Sequence, residues 1–174
     1  MAIIKEFTAL CPNQELVSKV AELPYDVVTT EEARSLAQGN PYSFFHITRP
    51  EVDLPANNNP YTNEVYRKGK ENLQQFINSG VLLYDDAAYL YLYTLTMQNH
   101  QQTGIVAGVS IDDYINGIVK KHELTREDKE IDRMNHINIV GAQTGLVYLF
   151  YKNNDALQEL MKESILSPVL YDFV

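Results

Sequence analysis

The stretch KKHELTREDKEIDR, residues 120–133, decides how this chain is read. It follows an apolar, strand-like segment and is dense in both signs of charge around a single histidine. Thr125 followed by Asp128 predicts a capping box, in which a hydroxyl and a carboxylate satisfy free amides at a helix start. His122 and Glu123 then fall on the loop entering that helix, where exposed amides and the positive end of the helix dipole suit an anion. Arg126, Lys129, Arg133 and His136 recur at helical steps and share one face, while Ile131, Met134 and Ile137 fall on another. A cationic stripe beside a histidine and a carboxylate suits phosphate or carboxylate chemistry. The same pattern also fits a solvated helix face with internal ion pairs, which is what most charge runs are.

Beyond this stretch, GAQTG at 141–145 reads as a loop only weakly similar to a phosphate loop, and LVYLFY at 146–151 reads as a strand. A helix is predicted over 153–164, followed by the apolar, strand-like run SPVLYDFV at 167–174. On the N-terminal side, LLYDD, AYLYLYTLTM and TGIVAGVSI read as a meander over 81–110, with turns at Asp85–Asp86 and between Gln98 and Gln102. Tyr89, Tyr91 and Tyr93 alternate with leucines, which predicts that both sheet faces are partly covered. Such a tyrosine stripe could stack nucleobases, but antiparallel sheets commonly carry tyrosines. Asp112 to Tyr114 open a short turn or helix that Gly117 ends.

The first part of the chain starts with a short strand over 2–10. Asn13 is expected to cap a helix over 13–23, and Pro24 to end it ahead of PYDVV at 24–28. Tyr25 and Asp26 sit on that loop, where Asp26 is either a functional carboxylate or a turn cap. A helix over 30–38 starts at Thr30 with Glu31 and Glu32 behind it. In NPYSFFHITRPE at 40–51 the core FFHIT reads as a strand, with His46 as a satisfied internal histidine and Arg49 as an anion contact or a surface arginine. Residues 53–63 form a polar loop suited to a mobile lid. A helix over 63–78 carries Val65, Leu73, Phe76 and Ile77 inward, and Gly80 closes it. The expected fold is α+β: a mixed, largely antiparallel sheet flanked by about five helices in a single domain, 1–174.

With 174 residues the chain is one domain by size and can bury a core. Its net charge of −9 argues against a general nucleic-acid binder, which needs a basic surface to displace counterions. The single cysteine, Cys11, excludes an internal disulfide and a multi-cysteine metal site, and reads as a small apolar residue rather than a nucleophile. The N-terminus lacks a signal-peptide core and no stretch reaches membrane-spanning length, so a cytoplasmic protein is expected.

PYDVV (24–28), NPYSFFHITRPE (40–51), GVLLYDD (80–86), HELTREDKEIDR (122–133) and AQTGLVYLFY (142–151) carry a resemblance over essentially the whole chain. The sequence resembles a large prokaryotic family catalogued as domain of unknown function number one thousand and fifteen. Members of that family are typically much longer. After a segment similar to LYDF they continue to a glycine-histidine-histidine-arginine motif, which relates them to the partition-protein-B and sulfiredoxin-like fold. That fold includes nucleotide-dependent enzymes, among them kinases for free serine, and the family is often associated with serine biosynthesis. The resemblance therefore implies an N-terminal portion of a longer architecture, inactive as an enzyme by itself.

The complete protein is then expected to be a nucleotide-dependent phosphotransferase acting on a hydroxylated metabolite such as free serine, using ATP or ADP with magnesium. Phosphoryl transfer needs positioning, charge neutralisation and a base for the attacking hydroxyl. Glu123 would be the base or a metal-holding carboxylate, with His122, Lys129 and Arg133 on phosphate oxygens and Asp26 on the substrate. Tyr25, Arg49 and Thr125 complete the binding set. The alternative is a regulatory module that binds a nucleotide or amino acid without turnover. The apolar run from Pro168 to Val174 predicts a homodimer or poor solubility.

Overall fold

The computed structural model describes residues 2–122 and 124–173. Its elements in chain order are β1 (Ile4–Lys5), β2 (Leu10–Pro12), α1 (Val17–Val20), α2 (Thr30–Ala37), α3 (Phe45–Thr48), a 3-10 turn (Pro50–Asp53), α4 (Asn63–Asn78) and β3 (Leu82–Tyr84). There follow β4 (Tyr91–Met97), β5 (His100–Val106), β6 (Gly108–Val109), α5 (Ile111–Ile115), α6 (Glu127–Val140) and α7 (Asp155–Ile165). The fold is α+β, with small antiparallel sheets rather than one large sheet. The chain divides into two compact units, one formed by 12–83, 125–149 and 173, the other by 2–11, 84–124 and 150–172. No helix among the described residues is long and apolar enough to cross a membrane.

The first unit is helical. Its longest helix, α4, spans the predicted range and buries Val65, Tyr66, Gly69, Asn72, Leu73 and Phe76, a stripe with the period of a helix face. Gly80, at φ +73°, ends it: its left-handed backbone lets Gly80 and Val81 amides reach back to the carbonyls of Ile77 and Phe76. Helix α2 starts at Thr30 as expected, but its cap is Thr29. The Thr29 hydroxyl accepts from the Glu32 amide at 3.2 Å while the Glu32 carboxylate accepts from the Thr29 amide at 2.8 Å. Arg34 then ties α2 to the 3-10 turn, donating to the carbonyls of Glu51, Val52 and Leu54.

FFHIT is not a strand. Phe45 to Thr48 form α3, started by the Ser43 hydroxyl accepting from the Phe45 amide, with Phe45 and Ile47 fully buried. A short apolar run has no period of its own, so burial against Ala33, Ala37 and Val52 decides its conformation. The helix expected over 13–23 contracts to α1, capped at Leu16, because tertiary partners take its last carbonyls. The Phe44 amide donates to Val20 and the Asn40 side chain to Lys19. Asn13 instead closes a local turn by accepting from the Glu15 amide.

The second unit is a set of strands with two helices. β1 pairs with β6, Phe7 bridges to Tyr89, and β4 pairs with β5 from Tyr91↔Val106 to Met97↔His100. The β4–β5 turn is tighter than expected, because β5 already begins at His100 and Gln98 adopts φ +54°. The covering expected on both faces of the tyrosine stripe is absent from its outer half: Tyr93, Leu95 and Met97 are 54%, 57% and 75% exposed. Among the described residues neither 146–151 nor 167–173 forms a strand; high β-propensity produces none without a neighbouring ladder. α7 is capped by Asn154, whose side chain accepts from the Leu157 amide, and it buries Met161. Ser110 caps α5, and Gly117 at φ +70° follows its end.

At Gly69 α4 comes close to its neighbours. A Cβ built there would lie 2.7 Å from Pro50 Cγ, 3.1 Å from the Ile47 carbonyl oxygen and 3.3 Å from Val140 Cγ2. Alanine would gain ~1 kcal/mol of helix propensity but overpack this contact at a cost of ~1–3 kcal/mol. Gly69→Ala is expected to lower the urea midpoint of the helical unit. A raised midpoint would show that Pro50 and α6 yield freely.

Candidate functional site

The described part of the charged stretch enters α6, but not by the predicted cap. The N-cap is Arg126, in extended backbone, and no side chain caps the helix. Asp128 accepts two bonds from the Arg126 guanidinium, at 3.0 and 2.7 Å, and these bonds, with the charges of Arg126 and Lys129, hold its carboxyl below the usual range. Thr125 donates instead to Glu130 at 3.3 Å. Three acidic residues in the first turn favour the helix through its dipole. Gly141, at φ +82°, closes it.

The face that α6 buries is largely polar. Asp132, His136 and Val140, spaced four apart, point inward, whereas Ile131 and Met134 are exposed. The Asp132 carboxylate is divided between two donors: Tyr66 of α4 donates its hydroxyl to Oδ1 at 2.7 Å, and Arg133 donates Nε and Nη2 to Oδ2 at 3.0 and 2.6 Å. Burial, then the bond and charge of Asp132, hold the Tyr66 phenol well above its ordinary value, so it remains a donor. The Arg133 guanidinium lies 4.3 Å over the centre of the Tyr25 ring. An arginine held by a carboxylate and stacked on an aromatic face loses little further entropy when it binds an anion. Its Nη1 donors have no acceptor among the described residues.

One turn earlier Lys129 donates to the Tyr61 hydroxyl at 2.9 Å and lies over the same ring. The 141–145 loop comes up beside Tyr25: a Cβ on Gly145 would stand 3.4 Å from the Tyr25 ring edge. Arg49 supports the stack from behind. Its Nη1 donates to the carbonyls of Tyr25 and Val28, its Nη2 to the Thr30 hydroxyl and its Nε to Glu51. Two cations, two tyrosines and a glycine-flanked loop thus form one patch in the helical unit. Buried beneath it, His136 is only 1% exposed and directs Nε2–H to the Ile47 carbonyl at 2.9 Å.

The family described as "Protein of unknown function (DUF1015)" matches residues 4–174. The chain belongs to that family. No curated protein and no solved structure matches the chain. Within this DUF1015 member, the structure brings together Tyr25, Arg49, Lys129 and Arg133 of the expected binding set. Asp26 follows Tyr25 in the chain and is exposed. Thr125 lies just before α6, away from the role of cap. His122 belongs to the other unit and is exposed, and Glu123 lies outside the described residues. Among the described residues, no cluster of three histidine, cysteine or acidic side chains could hold a metal ion. Sequence reading missed Tyr66, Asp132 and Tyr61. The spacing of Asp132, His136 and Val140 carried the signal for a polar inward face, but the isoleucine stripe masked it.

A second polar cluster lies in an open groove lined by Thr30, Arg34, Ser35, His46 and Asp53. His46 donates Nδ1–H to Asp53 at 2.8 Å and Nε2–H to the Asn40 carbonyl at 3.1 Å, so both nitrogens carry protons in a fully bonded ring. The Asp53 bond is the largest of the effects that raise its pKa above the ordinary 6.5. Burial raises the Asp53 carboxyl, but the bonds from His46 and Asn72, with the charges of His46 and Lys68, outweigh it and leave the pKa below 3.8. The pair therefore stabilises the fold fully between these values. As pH rises through the elevated His46 pKa its share is lost, and as pH falls through the lowered Asp53 pKa the other share is lost. His46→Ala is expected to lower stability at pH 6 more than at pH 9 in urea titrations. An equal loss at both pH values would make the ring a neutral packing group.

Proposed function

We propose that the Arg133–Lys129 patch binds an oxyanion carried by a small metabolite, a phosphate or a carboxylate. The observation that carries this reading is Arg133 itself: fixed on Asp132 and stacked on Tyr25, with Nη1 turned to no protein acceptor among the described residues. A guanidinium held in this way is prearranged for an oxyanion, and Lys129 adds a second positive charge one turn away. Titration calorimetry with inorganic phosphate tests it. Lys129→Ala, which touches only an exposed contact, is expected to weaken binding about tenfold, the worth of roughly 1.4 kcal/mol for one charge-assisted contact. Arg133→Lys, which keeps the charge and loses the fork, should weaken it at least as much. Unchanged affinity in both variants would remove the patch from consideration.

A second reading extends the first. In a longer protein the same grip holds nucleotide phosphates, and a hydroxylated metabolite such as free serine receives the phosphoryl group from ATP or ADP with magnesium. The exposed carboxylate of Asp26, carried one residue beyond the Tyr25–Arg133 stack, favours it, since phosphotransfer needs a group to orient the attacking hydroxyl. The roles of Glu123 as base and His122 as phosphate contact stay with this reading as expectations from the sequence alone, and so does the partition-protein-B and sulfiredoxin-like relationship. So does a homodimer in which the apolar run starting at Pro168, with Val169 exposed, packs on a second copy. The expected outcome is that the 174-residue chain sediments as a dimer and consumes no nucleotide. A monomer that phosphorylates serine at an ordinary enzymatic rate would overturn it.

A further inference from the structure

Beneath the proposed anion grip one buried group has no role in binding. His136 lies where α6 meets α3 and α4, and its Nε2–H bond to the Ile47 carbonyl fixes the tautomer, so Nδ1 carries the lone pair. That Nδ1 is buried without a hydrogen-bond partner among the described residues. The groups facing the ring are few. From α4 the Tyr66 ring stands edge-on at 6.1 Å, with its hydroxyl proton directed to Asp132. From α3 comes the Ile47 carbonyl, while the neighbouring His46 side chain is occupied by Asp53 and Asn40. From α6 itself come the opposed charges of Asp132 and Arg133, and these two are already bonded to each other. A proton arriving at Nδ1 creates a buried N–H with no free acceptor among the described residues, beside a guanidinium.

We propose that His136 is a proton-sensitive latch for the anion patch: neutral, it holds α6 against α3, and protonated, it releases the helix that carries Lys129 and Arg133. The inference rests on the patch being the binding site proposed above. The direction of its pKa agrees: burial pulls the imidazole below the ordinary 6.5, and Arg133 adds to this against the Ile47 carbonyl and Asp132. The folded chain therefore resists protonation that the unfolded chain accepts. Stability contributed by neutral His136 is present above pH 6.5 and is lost as pH falls below it. The opposite sign holds for His46, whose contribution is lost as pH rises. Acidification also removes negative charge from a chain of net −9, which by itself strengthens anion binding. A loss of binding on acidification is therefore specific to the latch.

Sulfate is the probe, because its charge does not change between pH 5 and pH 7.5. In the 174-residue chain, sulfate affinity is expected to fall at least fivefold from pH 7.5 to pH 5, with backbone amides of α6 exchanging faster after correction for intrinsic rates. In His136→Gln, whose amide can still donate to Ile47 without titrating, both quantities should change less than twofold. If His136→Gln does not fold, direct NMR titration of His136 in the unaltered chain decides: a ring that titrates at or above its ordinary value overturns the latch. Parallel pH responses in the two proteins also overturn it. If the unaltered chain binds no sulfate at pH 7.5 yet its α6 amides still loosen on acidification, the binding reading fails, the latch loses its anion patch, and only the proton-driven release of α6 is upheld. Amides that stay protected at pH 5 remove the latch whatever the sulfate result.

Discussion

The helical unit depends on how one buried carboxylate is satisfied. Asp132 sits almost out of solvent between α4 and α6, and a charge so placed is tolerated only when its oxygens are bonded. Tyr66 takes one oxygen and Arg133 the other. Removing one partner from such an arrangement typically costs ~3–5 kcal/mol, because the remaining charge is left uncompensated. That penalty fixes the rotation of α6 about its axis, and the rotation in turn turns Ile131 and Met134 outward and His136 inward. Arg133 is thereby held over Tyr25 while it bonds Asp132. The same interaction that orders the core also prepares the binding patch.

Carboxylates have a similar part in the strand unit, where β pairing is short. Asp113 is buried in α5 and accepts from the Ile3 amide at 2.6 Å, fastening the start of the chain beside β6. Asp85 accepts from the Ala9 amide, from the Tyr91 hydroxyl and, weakly, from the Cys11 thiol at 3.8 Å. Burial first, and the Asp85 charge second, raise the Cys11 pKa, which keeps the sulfur a thiol and a poor nucleophile. These side-chain bonds to backbone amides do some of the work that further strands do in a larger sheet. They also tie each carboxylate to one geometry, since a displaced acceptor would leave a half-buried amide unpaired.

Much of the local structure was legible. The stripe Val65, Leu73, Phe76 predicted α4, and Gly80 its end; the amphipathic pattern over 153–164 predicted α7; the alternation around Tyr91 and Leu92 predicted the β4–β5 pair. The site was legible in part. Lys129 and Arg133 were singled out from charge and spacing, and Tyr25 and Arg49 from their loops, and the fold gathers them, yet the cap built on Thr125 does not form and His136 is not on the cationic face. Cap chemistry is a competition between near neighbours, and here the Arg126–Asp128 pair takes the carboxylate that a capping box would use. The face reading failed for another reason: apolar residues normally define the buried side of a helix, and α6 inverts that rule to shelter Asp132.

What the sequence determined by itself is therefore what depends on a few consecutive residues: helix periodicity, glycine stops and the strand alternation of the hairpin. What the tertiary structure decided is everything that needs two distant segments to meet. FHIT is helical because Ala33, Ala37 and Val52 close around Phe45, and 146–151 forms no strand because no ladder stands beside it. Tyr66 and Asp132 are 66 positions apart and Ile47 and His136 are 89 apart, so no local pattern can announce that either pair is bonded. Local propensity differs by a few tenths of a kcal/mol to about 1 kcal/mol per residue. Burying a charge or a ring nitrogen without a partner costs several times that, so the long-range constraint wins wherever the two conflict.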